Sequence, residues 1–202
     1  MLVKFLDGCE KEVDLKSHVD LSGADLRNVD LRDADLRYAD LRHANLQHAV
    51  LWHADLYDAD LRHANLRNAD LSYADLYGAN LRDANLSCAN LQYMDLRHAD
   101  LRHVDLRSAS LYSSDLRCAD LQYADLHGAN LQCADFRGAN LDFSSLPLCC
   151  GSFHMEVDIG FVKQILYHIS SLSFEDDEGI KDAIRVFANS ATLRKRHNLP
   201  EV

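Results

Sequence analysis

Leucine recurs at every fifth position of this chain from Leu21 to Leu146, with one exception at Phe136. The residue two positions earlier is Ala in 20 of the 26 units, and the residue directly before is Asp in 16 units and Asn in 7. The unit is therefore Ala-Asp/Asn-Leu-x-x, repeated without an insertion over residues 19–146. A repeat this regular has to be interpreted first, because it determines the fold.

A period of five fits neither one helix nor one long strand. In a helix, Leu at every fifth position would lie on all faces and form no apolar stripe. In a strand, successive leucines would alternate between the two sides. Within one unit, however, Ala and Leu are two residues apart and share one face of a short extended segment, with Asp or Asn facing outward between them. The other two residues can turn a corner, so the pattern predicts a polygonal coil with Leu and Ala inside.

Units such as 24–28 (ADLRN) and 79–83 (ANLRD) resemble those of the pentapeptide-repeat family across residues 19–146. The resemblance implies an all-β solenoid, a right-handed quadrilateral β-helix in which four units form one 20-residue coil. The 26 units would then give about 6.5 coils and a rod of about 31 Å, at a strand spacing of ~4.8 Å. A leucine-rich repeat is the alternative, but it requires a period of about 20–29 residues with irregular leucine spacing.

The N-terminal residues 1–18 depart from the repeat and are predicted to form a β-hairpin-like cap. Two β-prone runs flank Asp7-Gly8, a dipeptide typical of hairpin turns. The repeat register slips once near residues 16–18. Atypical terminal segments usually cover the open apolar end of a solenoid. A hairpin that binds a partner is the alternative.

The C-terminal residues 147–202 are predicted to form a linker and a two-helix cap. Asp158 can N-cap a first amphipathic helix, and Ser173 with Asp176 makes a capping-box-like start to a second. Family members often end in a helical segment that caps the rod and sometimes joins two rods. Capping alone and capping with dimer formation both remain open. The short basic run 193–197 is interpreted as a solvated terminus.

Composition narrows the class of protein further. The net charge is −11, and the repeat alone carries 12 Arg and 20 Asp, so direct nucleic-acid binding is disfavoured. No apolar run reaches the ~18 residues of a membrane span. The apolar stretch at the N-terminus is too short, and an acidic residue follows it too soon, for a secretory signal. A cytoplasmic protein is therefore expected. The six cysteines are interpreted as reduced thiols, with a disulfide framework as the alternative.

Stacking residues 20 apart sorts the outward positions onto four faces. One face carries an unbroken candidate acidic ladder with Arg residues beside it. The ladder comprises Asp35, Asp55, Asp75, Asp95, Asp115 and Asp135. Adjacent arginines would offset the repulsion between stacked carboxylates, although each exposed pair contributes at most about 1 kcal/mol. A solvated surface is the plain interpretation of this ladder.

A second face has little charge and many rings, and it is the candidate binding face. Its members are Val50, Trp52, His53, Tyr73, Tyr93 and Tyr112. Aromatic residues with little charge are typical of interface centres. This face is therefore a candidate protein-binding or homodimer surface, and scattered exposed aromatics are the ordinary alternative.

A column of His43, His63 and His103, with Asp83 in its gap, raises the question of a metal site. An exposed ladder places neighbours side by side rather than converging on one point, so no metal or other cofactor is expected. No Ser-His-Asp set or phosphate loop is found. Asp is frequent because the repeat requires it, so carboxylate pairs carry no catalytic signal. An enzyme is therefore not expected.

Two functional hypotheses remain for this chain. The first is a non-enzymatic scaffold that is structural or binds an unidentified protein. The second follows from the resemblance alone, since some family members mimic DNA and bind or inhibit DNA gyrase. A duplex of about 31 Å carries roughly 18 phosphate charges, whereas the repeat carries 20 Asp against 12 Arg. The charge balance therefore favours the scaffold.

Overall fold

The computed structural model describes residues 2–5, 10–12 and 14–145. The described residues include three short strands: β1 (Leu2–Phe5), β2 (Glu10–Glu12) and β3 (Ala24–Asp25). The rest of the described chain coils through isolated parallel bridges, each joining residues 20 apart, from Asp20–Asp40 to Asp125–Ser145. The predicted 20-residue coil of four units is confirmed by these bridges.

The core is a filled stack of leucine and alanine. Every repeat Leu from Leu21 to Leu141, and Phe136 in the same position, is at most 2% exposed. Nearly all the alanines two residues earlier are equally buried. Burial of one such Leu side chain contributes about 1.5–3 kcal/mol relative to leaving it in water. The inward placement predicted from the five-residue period is therefore correct.

Backbone hydrogen bonds join each coil to the next at the Asp/Asn position. The N–H of Leu21 donates to the carbonyl of Asp40 at 2.7 Å, and the N–H of Asp40 donates to the carbonyl of Val19 at 2.9 Å. The same pair of bonds recurs from coil to coil, so the buried backbone groups have partners.

Each corner is a four-residue turn. The N–H of Ala39, for example, donates to the carbonyl of Leu36 at 3.0 Å. The second central residue has a positive φ at every corner from His18 to Phe143, and only four of these 26 residues are glycine. A positive φ at this position alone indicates a type II turn, which glycine or asparagine normally occupies. None of the 22 others is β-branched, which fits the steric limits of the left-handed region.

The Asp/Asn position is explained by a bond that the sequence did not predict. One side-chain oxygen accepts the backbone N–H two residues later, as from Arg107 to Asp105 at 3.1 Å and from Arg67 to Asn65 at 3.2 Å. The same bond recurs along the repeat. These side chains are therefore half-buried and tied to the corner, rather than simply directed outward.

At the N-terminus, β1 pairs antiparallel with both β2 and β3 in the order β2-β1-β3. Lys4 stands opposite Asp25, so the hairpin strand extends the first coil. The turn dipeptide Asp7-Gly8 lies outside the described residues. The first corner is formed by residues 17–18, and Lys16 takes the place of Leu there, its carbonyl accepting the N–H of Val19 at 3.2 Å.

The largest inward departure from the unit is Met94, which is 2% exposed. Ser114 lies one coil further on, where the N–H of Asp115 donates to the carbonyl of Met94 at 3.0 Å. The Ser114 hydroxyl is itself buried and donates to the carbonyl of Leu91 at 2.5 Å. A small polar side chain thus sits next to the bulky thioether without an unsatisfied hydroxyl.

The predicted two-helix cap, the basic run 193–197 and the domain boundary at residue 146 lie outside the described residues, so they stay predictions. Within the described part of the chain, no helix is long and apolar enough to cross a membrane.

Candidate binding surface

The rings of the candidate binding face form one continuous column. His53 stacks on Tyr73 with 5.1 Å between centroids, and Tyr73 stacks on Tyr93 at 4.9 Å. Trp52 meets the His53 ring edge-on at 4.1 Å, and Tyr112 meets the Tyr93 ring edge-on at 5.5 Å. We call these five residues the aromatic column.

The column follows from the geometry of the corners. His53, Tyr73 and Tyr93 all occupy the left-handed corner position, one coil apart. The spacing of about 4.8 Å between coils is also a favourable separation for offset ring stacking. Trp52, Tyr73 and Tyr93 remain 39%, 47% and 45% exposed, so the stack presents its rim to solvent. Val50 lies beside them in the bridge ladder between Asp30 and Asp70.

The candidate acidic ladder forms a single column of parallel bridges from Asp35 to Asp135. It is not bare, however. Arg97 pairs with Asp95 at 2.5 Å and approaches Asp115 at 3.7 Å, thereby linking two coils. The hydrogen bond from the Arg37 side chain holds the pKa of Asp35 at about 2. Most of the charge in this column is therefore balanced within the rod.

The ladder changes where two tyrosines replace arginine. Tyr57 follows Asp55 and Tyr77 follows Asp75, and each tyrosine donates only its backbone N–H to the carboxylate, at 3.1 and 2.9 Å. Asp55 is still reached by Arg37 Nε at 3.5 Å. Among the described residues, Asp75 has no ion pair within 4.0 Å.

A second ring cluster was not predicted from the sequence. Tyr57 stacks on Tyr77 at 5.5 Å with parallel planes, Tyr38 meets Tyr57 edge-on at 5.6 Å, and His18 stacks on Tyr38 at 4.7 Å. We call Tyr38, Tyr57 and Tyr77 the tyrosine cluster. Tyr57 and Tyr77 occupy the first corner position and Tyr38 the second, so a search for rings spaced by 20 residues does not find the whole set.

The histidine column divides into two separate contacts. His43 stacks on His63 at 4.9 Å, and His63 Nδ1 lies 4.0 Å from Asp83 Oδ2. His103 instead stacks on Tyr123 at 4.9 Å. No group of three or more His, Cys, Asp or Glu side chains in the described part of the chain could hold a metal ion.

The described cysteines are dispersed over the rod. Cys88, Cys118 and Cys133 are exposed free thiols on different faces. The other three cysteines lie outside the described residues.

The family model named Pentapeptide repeats matches this chain in eight copies, over residues 17–52, 44–83, 84–122 and 119–147. These ranges cover more than half of the 202 residues. No curated protein sequence matches the chain.

Solved structures give similar results. A pentapeptide repeat protein from the cyanobacterium Nostoc is 36% identical, with 52% of this chain and 84% of that chain covered and a TM-score of 0.47. HetL, a Nostoc pentapeptide repeat protein involved in heterocyst differentiation regulation, is 34% identical over 63% and 62%, with a TM-score of 0.24. Trypsin-treated QnrB1, a plasmid-mediated fluoroquinolone resistance protein, is 20% identical over 78% and 86%, with a TM-score of 0.37.

Proposed function

This chain belongs to the pentapeptide-repeat family, and we propose that it is a non-enzymatic scaffold whose aromatic column binds a protein partner. Its fold is the right-handed β-helix of that family. The observation that supports the proposal is the continuous five-ring column from Trp52 to Tyr112. We also propose that the 26 units, with four units in each coil, form about 6.5 coils of stacked strands. We further propose that a helical segment caps the C-terminal end of the rod.

The aromatic column is suited to binding because it combines a large contact area with rigid side chains. Tyr and Trp supply large apolar surfaces that retain a polar edge, and such residues dominate binding energy at interface centres. Stacking already fixes the rotamers of His53, Tyr73 and Tyr93. Binding would therefore lose less side-chain entropy than it would on a mobile surface.

Affinity capture from the native host, quantified by mass spectrometry, tests this proposal. The variant Tyr73→Asn/Tyr93→Asn removes two rings and keeps the corner geometry, because Asn already occupies it at Asn28 and Asn68. Tyr123→Asn on another face is the matched control. We expect a specific set of proteins to be lost with the double variant and retained with the control. Capture of the same proteins by the parent chain, the double variant and the control variant would contradict the proposal.

DNA mimicry directed at gyrase is the rival function. Ten arginines each pair with the Asp two residues earlier, so much of the acidic surface is neutralised within the rod. A DNA mimic would need a denser negative surface. A gyrase supercoiling assay separates the two functions, since inhibition at micromolar protein would support mimicry.

Homodimer formation through the aromatic column or the C-terminal segment is a further proposal. Light scattering on Trp52→Ala and on a chain ending at residue 146 would locate the contact. If both kept the oligomeric state of the parent, neither surface would be the dimer interface. A cytoplasmic location stays a prediction.

A further inference from the structure

At the C-terminal end of the described rod, the left-handed corners carry rings on one edge only. Tyr123 and Phe143 occupy the last two corners of that edge. On the other three edges, the last described corners are formed by Gly128, Cys133 and Gly138. The aromatic surface at this end is therefore confined to one of the four edges.

These two rings continue a stack that starts at His103. His103 stacks on Tyr123 and Tyr123 stacks on Phe143, each with 4.9 Å between centroids. Tyr123 is 50% exposed and Phe143 is 60% exposed. We call His103, Tyr123 and Phe143 the terminal column. Further from the C-terminal end, the same edge carries His63 and Asp83, so it becomes less polar towards the end of the described chain.

The chain itself supplies an apolar segment next to this edge. The described residues end at Ser145, two positions beyond Phe143, and residues 146–202 follow. The sequence predicts a helix that begins at Asp158 and has one apolar side. That side comprises Ile159, Val162, Leu166 and Ile169. The connecting residues 146–157 span up to about 40 Å when extended, so the predicted helix can reach any part of the terminal column.

The spacing of the apolar side chains fits the spacing of the rings. Side chains on one side of a helix recur about every 5.4 Å, the rise of one turn. The rings of the terminal column recur every 4.9 Å. A helix that runs back along the rod from Phe143 towards His103 would therefore place successive apolar turns against successive rings.

We propose that the predicted helix from Asp158 docks lengthwise on the terminal column, so that the C-terminal segment covers one edge of the last coils. This inference rests on the proposed helical segment and adds the surface that this segment binds. A second copy of the chain would compete for the same rings. The segment is tethered beside them, however, and its effective concentration therefore exceeds that of a separate molecule.

Limited trypsin digestion of the full chain tests this docking, because the predicted helix contains Lys163. Cleavage follows the population of the undocked segment when undocking is fast relative to cleavage. Tyr123→Asn/Phe143→Asn removes both rings and keeps the corner geometry, which Asn68 already adopts. We expect cleavage after Lys163, measured by mass spectrometry, to become at least about tenfold faster, because two aromatic contacts are lost.

The matched control is Tyr73→Asn/Tyr93→Asn, which removes two stacked rings from the aromatic column. Its rate of cleavage after Lys163 should stay within about twofold of the parent rate, because distant sites act independently. Equal acceleration by the two double variants would overturn the docking, as would a parent-like rate for Tyr123→Asn/Phe143→Asn. Light scattering on the same samples identifies the competing occupant. A parent dimer that dissociates in Tyr123→Asn/Phe143→Asn without faster cleavage would assign the terminal column to a second copy.

Leu166→Ala tests the same contact from the side of the segment. In the parent, this substitution should also accelerate cleavage after Lys163. In the Tyr123→Asn/Phe143→Asn background it should add little, because substitutions of residues in contact are not additive. Full additivity of the two effects would mean that Leu166 does not pack on the rings.

Circular dichroism separates failure of the docking from failure of the proposed helical segment. The full chain should show a helical signal that a chain ending at residue 146 lacks, and thermal melts should show that both double variants retain the rod. If the helical signal is present but the ring substitutions leave cleavage unchanged, the helix exists and does not dock on the terminal column. If the signal is absent, both the helical segment and its docking are wrong.

Discussion

The carboxylate of Asp105 holds Arg107 at two points: Oδ1 accepts both the backbone N–H of Arg107, at 3.1 Å, and its guanidinium Nε, at 2.8 Å. The first bond shapes the corner, and the second balances charge. Asparagine can make the first bond but cannot form an ion pair, and the shared corner bond explains why Asp and Asn both occur at this position of the unit.

Substitution at Asp105 should separate these two contributions. Asp105→Asn keeps the corner bond and loses a partly exposed ion pair, so we expect a loss of at most about 1 kcal/mol in the free energy of unfolding. Asp105→Ala loses both and leaves a backbone N–H without its acceptor, for a loss of about 1–3 kcal/mol. Urea unfolding of both variants measures the difference. Equal losses would mean that the corner bond contributes nothing.

Leu81→Asp should abolish cooperative unfolding of the rod. Leu81 is fully buried in the middle coils, and an unpaired carboxylate there has no partner in a Leu/Ala core. Arg82→Gln, one residue away on the surface, is the control and should melt close to the parent. Thermal melts followed by circular dichroism give the comparison. A parent-like melting curve for Leu81→Asp would be incompatible with the inward placement of Leu.

At the left-handed corner positions, we expect glycine to be tolerated better than a β-branched residue. Asn68 has a φ of 58°, so Asn68→Gly should leave the stability nearly unchanged or raise it slightly. Asn68→Val places a β-branched residue in the left-handed region and should cost about 1–3 kcal/mol. Thermal denaturation of the two variants tests this. The prediction is wrong if valine is tolerated as well as glycine.

Acid should weaken the first coils through their ion pairs. The side chains of Arg32 and Arg37 lower the pKa of Asp30 and Asp35 from 3.8 to about 2 in the folded chain. A folded-state pKa below the unfolded value contributes stability above about pH 4, and this contribution is lost as the pH falls towards 2. Melting temperatures measured across that range should fall.

The matched variant for this acid effect is Asp30→Asn/Asp35→Asn, which retains the side-chain oxygens but cannot titrate. Its melting temperature should fall less between pH 4 and 2 than that of the parent. High salt should also reduce the effect, because both pairs are exposed and therefore screened. The same pH profile for parent and variant would exclude these two carboxylates as its source.

The sequence predicted the inside of this molecule well because the inside has few options. A five-residue period with Leu and Ala two apart fits a buried polygonal stack, and the bridges from Asp20–Asp40 onward confirm the 20-residue coil. The aromatic column also followed from spacing alone, because Tyr73 and Tyr93 hold equivalent corner positions. Its role in binding stays a prediction.

Three features depended on torsions and contacts that spacing does not encode. The left-handed corners were hidden because 22 of the 26 residues there are not glycine. The tyrosine cluster was missed because Tyr38 and Tyr57 come from different corner positions and meet edge-on. The unpaired state of Asp75 emerges only once each arginine is assigned to its carboxylate.

Because four units close one 20-residue coil, inserting or deleting units affects the core and the surface of the rod differently. One five-residue unit inserted between Trp52 and Tyr73 would leave the Leu/Ala stack intact, since any unit fills the interior as well as another. It would also rotate everything downstream by a quarter turn and separate His53 from Tyr73 on the surface. Only the insertion or deletion of whole 20-residue coils keeps the surface columns aligned. The alignment of surface residues therefore depends on the number of units, whereas the packing of the core does not.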